Sequence, residues 1–194
     1  MEWIGTVVRL QIQTSSLKVG ERPRRYDPAP LRSLESLEAT PEGVLGQIAP
    51  DAPILDVHHA RHPRSKHRSG VNGVSIGFTA HYAAMRERFG GHLSDGIAGE
   101  NILIATSRHW QEQDLAGSVI LLGEASSQLK LERIVVAAPC VEFSRYVLRF
   151  PDDARPDASV TQALRFLDGG MRGFYAAVLG EPARVTLGAQ VFLA

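Results

Sequence analysis

The amino-acid sequence predicts a mainly β protein with a few helices (α+β class), built as an antiparallel, barrel-like sheet. Three observations lead to this prediction. Strand-sized apolar or alternating runs recur along the chain, only two segments carry apolar residues at helical spacing, and strands do not alternate with helices as in a parallel sheet. At 194 residues the chain has the length of one domain of ordinary size, so we assign residues 1–194 to a single domain.

The strand predictions come from short runs bounded by glycine or proline. The first run, residues 5–13 (GTVVRLQIQ), alternates apolar and polar residues as a half-buried strand does. Further strands are predicted over 53–59, 73–78, 101–105, 118–123, 128–138, 174–179 and 183–193. Pro139 cannot donate to a sheet ladder, so we expect the strand before it to end or bulge there.

Two helices are predicted, each ended by glycine. The segment 79–91 has Thr79 as a candidate N-cap, and the segment 157–170 has Asp157 or Ser159. Two other segments are rich in proline with arginine or aspartate, which favours irregular surface structure. They cover residues 19–33 and 149–159.

Composition and charge exclude several classes of function. The chain has 21 basic and 21 acidic residues, so no global charge favours nucleic acid or a membrane surface. Attraction for an anion must therefore come from a local patch. No apolar run approaches the length that spans a bilayer. A single cysteine and an N-terminus unlike a secretory signal indicate a reducing, cytoplasmic setting.

Cys140 is the single cysteine and cannot form an intramolecular disulfide. Cysteine is often a small buried hydrophobe, so an inert core thiol is one interpretation. Because Pro139 ends the preceding strand, the other interpretation places Cys140 at a strand terminus, facing an open cavity at the barrel rim. A thiolate there can bind a soft metal or carry sulfur, and no second cysteine is needed if a cofactor supplies the other sulfurs.

A dense set of nitrogen donors lies in residues 58–68 (HHARHPRSKHR). The histidines are His58, His59, His62 and His67, and the cations are Arg61, Arg64, Lys66 and Arg68. Zinc is disfavoured, because Pro63 prevents a helix that would aim two histidines together and no cysteine lies nearby. The donors suit a phosphate or another anion, and a solvated basic loop explains them equally well.

Two further motifs combine glycine with polar side chains near predicted strands. Gly99, Glu100 and Asn101 precede one strand, where Asn101 could donate to a ligand oxygen and Glu100 could fix a neighbouring basic residue. An ordinary glycine turn before a strand has the same pattern. Arg172 lies between two glycines before another strand and could clamp a phosphate or carboxylate, or be a common surface arginine.

In combination these motifs resemble a MOSC domain, the family named for the C-terminal domain of molybdenum cofactor sulfurases. The resemblance covers residues 44–193 and rests on the order of its elements. These are a GVLG turn, a His-rich stretch followed by a helix, AGENILI, DLAGSVILLG, a strand into APCVEF, and MRGFYAAVL. The GEN triplet, the Pro-Cys pair and the R-G-x-Y segment are fairly specific together, whereas each alone is weak.

The resemblance implies a largely β, barrel-type fold that binds the molybdenum cofactor, a pyranopterin dithiolene with a terminal phosphate. In that resemblance Cys140 matches the family cysteine that ligates molybdenum or carries sulfur. The GEN element is matched by Gly99, Glu100 and Asn101, and the basic residue of the C-terminal loop by Arg172. Anchors for the phosphate would be Lys66, Arg68 and Arg172. Protons would come from His58 or His59, because imidazole titrates near neutral pH.

The reaction that the resemblance implies is reduction of N-hydroxylated small molecules by a molybdenum-dependent oxidoreductase. The sequence has no flavin, haem or iron–sulfur motif, so a separate reductase would donate the electrons. One alternative is a sulfur carrier that holds a persulfide on Cys140, supplied by a separate cysteine desulfurase. Pyridoxal phosphate would then belong to that partner, because no lysine here lies in a recognisable site for it. A second alternative is a non-catalytic binding domain with Cys140 buried.

The sequence departs from the family pattern near Gly46-Gln47, where the family often has Gly-Asp and a histidine. The acidic residue is therefore missing or displaced. Asp51 and Asp56 are the two positions to which it could have moved.

Overall fold

The computed structural model describes residues 1–49, 52–66, 68–123 and 128–194, with only the backbone described at positions 48 and 49. Asp51 and His67 thus lie outside the described residues. The strands are β1 Glu2–Gln13, β2 Lys18–Val19, β3 Arg25–Tyr26, β4 Leu31–Leu34, β5 Ser36–Thr40, β6 Gly43–Ala49, β7 Ala52–Leu55, β8 Val74–Phe78, β9 Ile102–Ala105, β10 Ile120–Leu122, β11 Leu129–Val136, β12 Phe174–Val178, β13 Ala183–Thr186 and β14 Gln190–Leu193. The helices are α1 Thr79–Phe89, α2 Glu112–Leu115, α3 Val141–Val147 and α4 Ala158–Leu167.

Seven strands of the described chain close into a barrel. Their order is β14-β10-β11-β12-β8-β9-β1, and β1 pairs with β14 to complete the ring. All neighbours in the ring are antiparallel except β8 and β9, which run parallel and are connected through α1. A parallel pair needs such a crossover connection, because a tight hairpin joins only antiparallel strands. The predicted mainly β, barrel-like fold is confirmed.

Smaller sheets extend the barrel. β4 pairs with the second half of β1, and β13, β5, β6 and β7 form a separate four-stranded sheet. The segment 19–33, predicted to be irregular, contains most of a two-stranded hairpin formed by β2 and β3 and the start of β4. That prediction missed the hairpin because its strands have two residues each, too few to show an alternating pattern.

The barrel interior is filled by one side of each strand. Along β1, for example, Val7, Leu10 and Ile12 are buried. Fully burying a side chain of this size stabilises the fold by roughly 1.5–3 kcal/mol. Val7 is one position out of step with Leu10 and Ile12, because the β1–β9 register shifts between Val7 and Arg9, and Val8 is exposed as a result.

A second apolar cluster lies outside the barrel and is built mainly by the helices. Its buried members include Tyr82 and Met85 of α1, Phe143 and Val147 of α3, and Leu167 of α4. Cys140 is partly buried and packs against this cluster. The helices thus support the segment that carries the thiol.

The two predicted helices are present, but only one of their predicted N-caps is confirmed. Asp157 caps α4, because its side chain accepts hydrogen bonds from the backbone N–H groups of Ser159 and Val160. The prediction for Thr79 was wrong: Phe78 occupies the N-cap position, and the Thr79 hydroxyl exchanges hydrogen bonds with the backbone of Thr106. A tertiary contact has replaced the local cap.

Helix α3 was not predicted. Its sequence, VEFSRYV, mixes β-branched and aromatic residues that favour strands, and it is only seven residues long. Packing of Phe143 and Val147 into the second cluster outweighs that preference. None of the four described helices has the length and apolar character needed to cross a membrane.

Candidate active-site cavity

An open cavity of about 260 Å³ lies beside the end of β11 and collects four of the predicted site residues. These are Cys140, His58, Lys66 and Arg172. The volume is near the lower end of the range for small-molecule sites. The structure therefore brings together side chains from three separate parts of the sequence.

Cys140 enters the cavity because of the proline before it. β11 ends at Val136, and the chain then turns into α3, whose N-cap is Cys140. This confirms that the strand ends before Pro139. The thiol is free and only partly buried, and the Cys140 carbonyl accepts the Ser144 N–H at 3.0 Å. The sulfur is therefore in reach of a ligand in the cavity.

The cavity wall is strongly basic. It includes five cationic side chains, namely Lys18, Arg24, Arg64, Lys66 and Arg172, and no carboxylate among the described lining residues. A concave surface lined by one sign of charge raises the local concentration of the opposite ion. The wall thus favours an anionic ligand.

Glu142, just outside the lining, balances part of this charge. Its carboxylate lies 3.0 Å from Arg24 and 3.6 Å from Lys18. Burial acts to raise the pKa of Glu142, but backbone hydrogen bonding, these two cations and a hydrogen bond from the Cys140 side chain lower it on balance. The carboxylate is therefore ionised and holds the β2–β3 hairpin against α3.

Arg172 presents a guanidinium that is incompletely satisfied by the protein. Nη2 donates to the Ala98 carbonyl at 3.3 Å, and the group lies 5.8 Å from the Phe143 ring centroid. Its Nε is buried and has no described partner. Burial acts to lower the pKa of Arg172, but the acidic groups of Tyr175, Tyr26 and their neighbours raise it on balance. Arg172 thus remains charged and retains a donor for a ligand.

His58 is held at the cavity by Asp56. The Nδ1 atom of His58 lies 2.9 Å from Oδ1 of Asp56, and its ring lies 5.6 Å from that of Tyr175. Burial acts to raise the pKa of Asp56, but hydrogen bonds and the charge of His58 lower it on balance. The fully buried Asp56 is therefore an ionised acceptor. Of the two positions considered for the displaced acidic residue, Asp56 belongs to this site.

Asn101 does not line the cavity. Its side chain is 1% exposed, and Oδ1 accepts from both the backbone N–H and the hydroxyl of Ser75, each at 2.9 Å. Its Nδ2 donates to the Gln11 carbonyl at 3.2 Å and to Oδ2 of Asp56 at 2.9 Å. The amide is therefore fully used inside the protein rather than directed at a ligand.

Gly99 and Glu100 do not line the cavity, but they lie against residues that do. At Gly99, which has φ +97°, a Cβ would lie 2.7 Å from Cδ1 of Leu17. Glu100 accepts hydrogen bonds from the Tyr82 hydroxyl at 2.8 and 3.0 Å, and burial raises its pKa. Its charge attracts Arg172, and the two residues border a small neighbouring cavity. The GEN triplet is thus scaffold for the cavity.

Two predicted site residues lie elsewhere. His59 is fully buried, its Nδ1 accepts the Arg61 N–H at 3.2 Å, and burial lowers its pKa. Arg68 is exposed, and it is not among the described residues that line the cavity. Of the two histidines considered as proton donors, only His58 borders the cavity.

The β2–β3 hairpin contributes cavity residues that sequence reasoning missed. Lys18, Arg24 and Tyr26 all line the cavity. The Tyr26 hydroxyl donates to the Ile97 carbonyl at 2.6 Å, and its ring lies 4.9 Å from that of Phe143, which fixes the hairpin against α3. The density of basic residues between positions 18 and 25 was the available signal.

The closed seven-stranded barrel has a MOSC-like fold. Solved structures with this fold include YuaD from Bacillus subtilis and YiiM from Geobacillus stearothermophilus and Escherichia coli. YuaD superposes with a TM-score of 0.56 at 14% identity, over 99% of this chain and 94% of YuaD.

The two YiiM structures are similar to this chain at a comparable level. The Geobacillus protein gives a TM-score of 0.51 at 15% identity, over 100% of this chain and 74% of its own. The Escherichia coli protein gives 0.52 at 12% identity, over 100% and 70%. No protein-family model and no curated protein sequence matches the chain. The likeness thus concerns the fold.

Proposed function

We propose that the protein binds the molybdenum cofactor in the Cys140 cavity and reduces N-hydroxylated small molecules. The observation that carries the proposal is a partly exposed thiol in a cavity with five cations and no carboxylate among its described lining residues. A thiolate suits a soft transition metal, and cations suit a phosphate. Nε of Arg172, which is buried and has no partner among the described residues, is a further donor for an anion. The thiol and the cations of the cavity therefore fit the molybdenum cofactor.

The metal and the phosphate of the cofactor each have candidate partners in the chain. Cys140 would be the metal ligand, and Arg172 and Lys66 would bind the phosphate together with Arg64 or the hairpin cations. Among the described residues no three histidine, cysteine or carboxylate side chains group as a metal site. A metal at Cys140 would therefore take its remaining ligands from the cofactor and the substrate.

When bound, the cofactor supplies two-electron redox chemistry with oxygen-atom transfer. The protein's own groups bind and orient the reactants. His58, at the cavity wall, would hold and exchange a proton, while the basic wall would retain the anionic group. Electrons would come from a separate reductase.

The test is metal content of protein purified from a host that makes the cofactor. We expect molybdenum and pterin fluorescence in the native protein, and loss of molybdenum in Cys140→Ser. Lys66→Gln should lower cofactor content, whereas the matched variant Lys130→Gln, on the exposed side of β11, should not. Normal molybdenum in Cys140→Ser would exclude Cys140 as the ligand. Absence of cofactor from native protein would reject the proposal.

Sulfur transfer is the second candidate, and the partial exposure of the free Cys140 thiol favours it. A carrier needs a thiol that a partner can reach. Incubation with a cysteine desulfurase and its substrate should then add one sulfur to the native chain, measured by mass spectrometry, and none to Cys140→Ser. No gain of sulfur would exclude this candidate and leave the cofactor proposal standing.

A further inference from the structure

Three separate chain segments meet at Asp56. Gln13 is the last residue of β1, Asp56 follows β7 directly, and Asn101 precedes β9. Their polar groups form a closed network that is buried beneath His58. The tertiary fold, rather than the local sequence, brings this network together.

The Asp56 carboxylate accepts four hydrogen bonds. Oδ2 accepts from the Gln13 N–H at 2.8 Å and from Nδ2 of Asn101 at 2.9 Å. Oδ1 accepts from the backbone N–H of His58 at 2.8 Å and lies 2.9 Å from its Nδ1. These donors hold the carboxylate in one orientation. Because an ionised carboxylate can only accept, the Nδ1 atom of His58 must carry the proton of the neutral ring.

The orientation of Asn101 is fixed in the same way. The Ser75 backbone N–H can only donate, so it must meet the amide oxygen of Asn101. The amide nitrogen then faces Asp56, which can only accept while ionised. No described residue hydrogen-bonds to Nε2 of His58, which is therefore the ring nitrogen available to the cavity.

We propose that Asp56 and Asn101 are positioning residues that hold His58 in the Nδ1–H tautomer, with Nε2 as the atom that exchanges a proton with a bound substrate. The role in catalysis rests on the proposed function, whereas the tautomer is a property of the protein alone. A carboxylate that orients a histidine in this way is a recurrent device in acid–base sites.

The experiment is ¹⁵N NMR of histidine-labelled protein without cofactor, at about pH 8.5, where histidine is ordinarily neutral. Protonated and unprotonated ring nitrogens have distinct ¹⁵N shifts, and His58→Gln assigns the signals. We expect His58 in the native protein to be the Nδ1–H tautomer. The Nε2–H tautomer, or an even mixture, would overturn the inference.

Asp56→Asn gives the matched variant. Two donors, those of Gln13 and Asn101, need its amide oxygen at the Oδ2 position, against one backbone donor, the N–H of His58, at the Oδ1 position. We therefore expect its NH₂ group to face Nδ1 of His58 and to switch the ring to Nε2–H. His109→Gln, an exposed change, should leave the His58 signals as they are. Retention of Nδ1–H in a folded Asp56→Asn protein would also overturn the inference. If Asp56→Asn does not fold, the native tautomer still decides.

The two proposals fail in different ways. A native protein with Nδ1–H at His58 but no cofactor would keep the positioning and reject the proposed function. A protein that binds molybdenum but has the Nε2–H tautomer at His58 would support the proposed function and reject the positioning role.

Discussion

Asn101 donates a hydrogen bond of 2.9 Å from Nδ2 to Oδ2 of Asp56, at a point where neither side chain is exposed to solvent. An asparagine that was expected to meet a ligand thus holds the carboxylate that holds His58. Asn101 therefore affects the cavity indirectly, through Asp56 and His58. Stability and geometry, rather than direct binding, should therefore respond to its replacement.

We predict that Asn101→Ala lowers the free energy of unfolding by about 2–4 kcal/mol, because it leaves the buried Ser75 donors without their acceptor and removes one donor from Asp56. Urea denaturation measures this change. The matched variant Asn72→Ala, in a partly exposed turn, should change it by less than about 0.5 kcal/mol. Equal effects of the two variants would contradict the importance of the network.

The sequence predicted the barrel well and the site in part, for physical reasons. Burial on one side of a strand leaves a period-two pattern and burial on both sides a continuous apolar run, so β1 and the strands β8 to β12 were visible in the sequence. The run 183–193, predicted as one strand, is instead two strands, β13 and β14, which lie in different sheets. Cys140 and Arg172 were visible because proline and glycine mark strand ends. Which side chains converge there depends on long-range packing, which no local pattern records.

The pair formed by Asp56 and His58 shows what was missed. An aspartate that accepts the N–H two residues later is a common turn signal, and the D-V-H sequence contains it. The hydrogen bond from Asn101 could not be predicted, because it joins residues 45 positions apart. The presence of Lys18 and Arg24 in the cavity wall could not be predicted either, because it depends on how the β2–β3 hairpin packs on α3.

Gly99→Ala should destabilise the protein by about 1–3 kcal/mol, because a side chain is strained at φ +97° and its Cβ would overlap Leu17 and Nε2 of Gln13. Thermal or urea unfolding checks the change. Gly91→Ala is the control, since nothing lies within 4 Å of the added Cβ and its φ is not positive. A neutral Gly99→Ala would show that the contacts of Gly99 with Leu17 and Gln13, two residues that line the cavity, yield easily.

The charge of the cavity can be measured through its thiol. Iodoacetate is an anion and iodoacetamide is neutral, so the basic wall should raise the alkylation rate of Cys140 by iodoacetate relative to iodoacetamide. We expect the ratio to exceed that of the unfolded chain by roughly tenfold at low salt and to approach it at 1 M salt. Mass spectrometry gives both rates on the single cysteine.

Variants separate the cavity charge from the overall charge of the protein. Lys66→Gln should lower the iodoacetate preference, whereas Lys130→Gln, which removes the same charge from β11 outside the cavity lining, should leave it unchanged. A thiol that neither reagent reaches in the native state would contradict the open cavity and favour a buried, inert Cys140.

His81, away from the cavity, should make stability depend on pH. Burial, with a contribution from the stacked His109, lowers its pKa from 6.5 to about 4. Its Nε2 accepts the backbone N–H of Trp110 at 3.1 Å, which requires the neutral ring. Since the folded pKa lies below the unfolded one, the unfolded state binds the proton first as the pH falls. Stability from His81 is therefore complete above pH 6.5 and is lost between pH 6.5 and 4.

A shift of this size corresponds to about 3 kcal/mol, at ~1.4 kcal/mol per pKa unit. We predict that the native protein loses about this much more free energy of unfolding between pH 7 and pH 4 than His81→Gln, whose amide oxygen can still accept from Trp110 but does not titrate. Urea denaturation at a series of pH values measures both curves. His62→Gln, at a partly exposed loop position, should reproduce the native curve. Parallel curves for the native protein and His81→Gln would mean that the buried imidazole accepts a proton without cost to the fold.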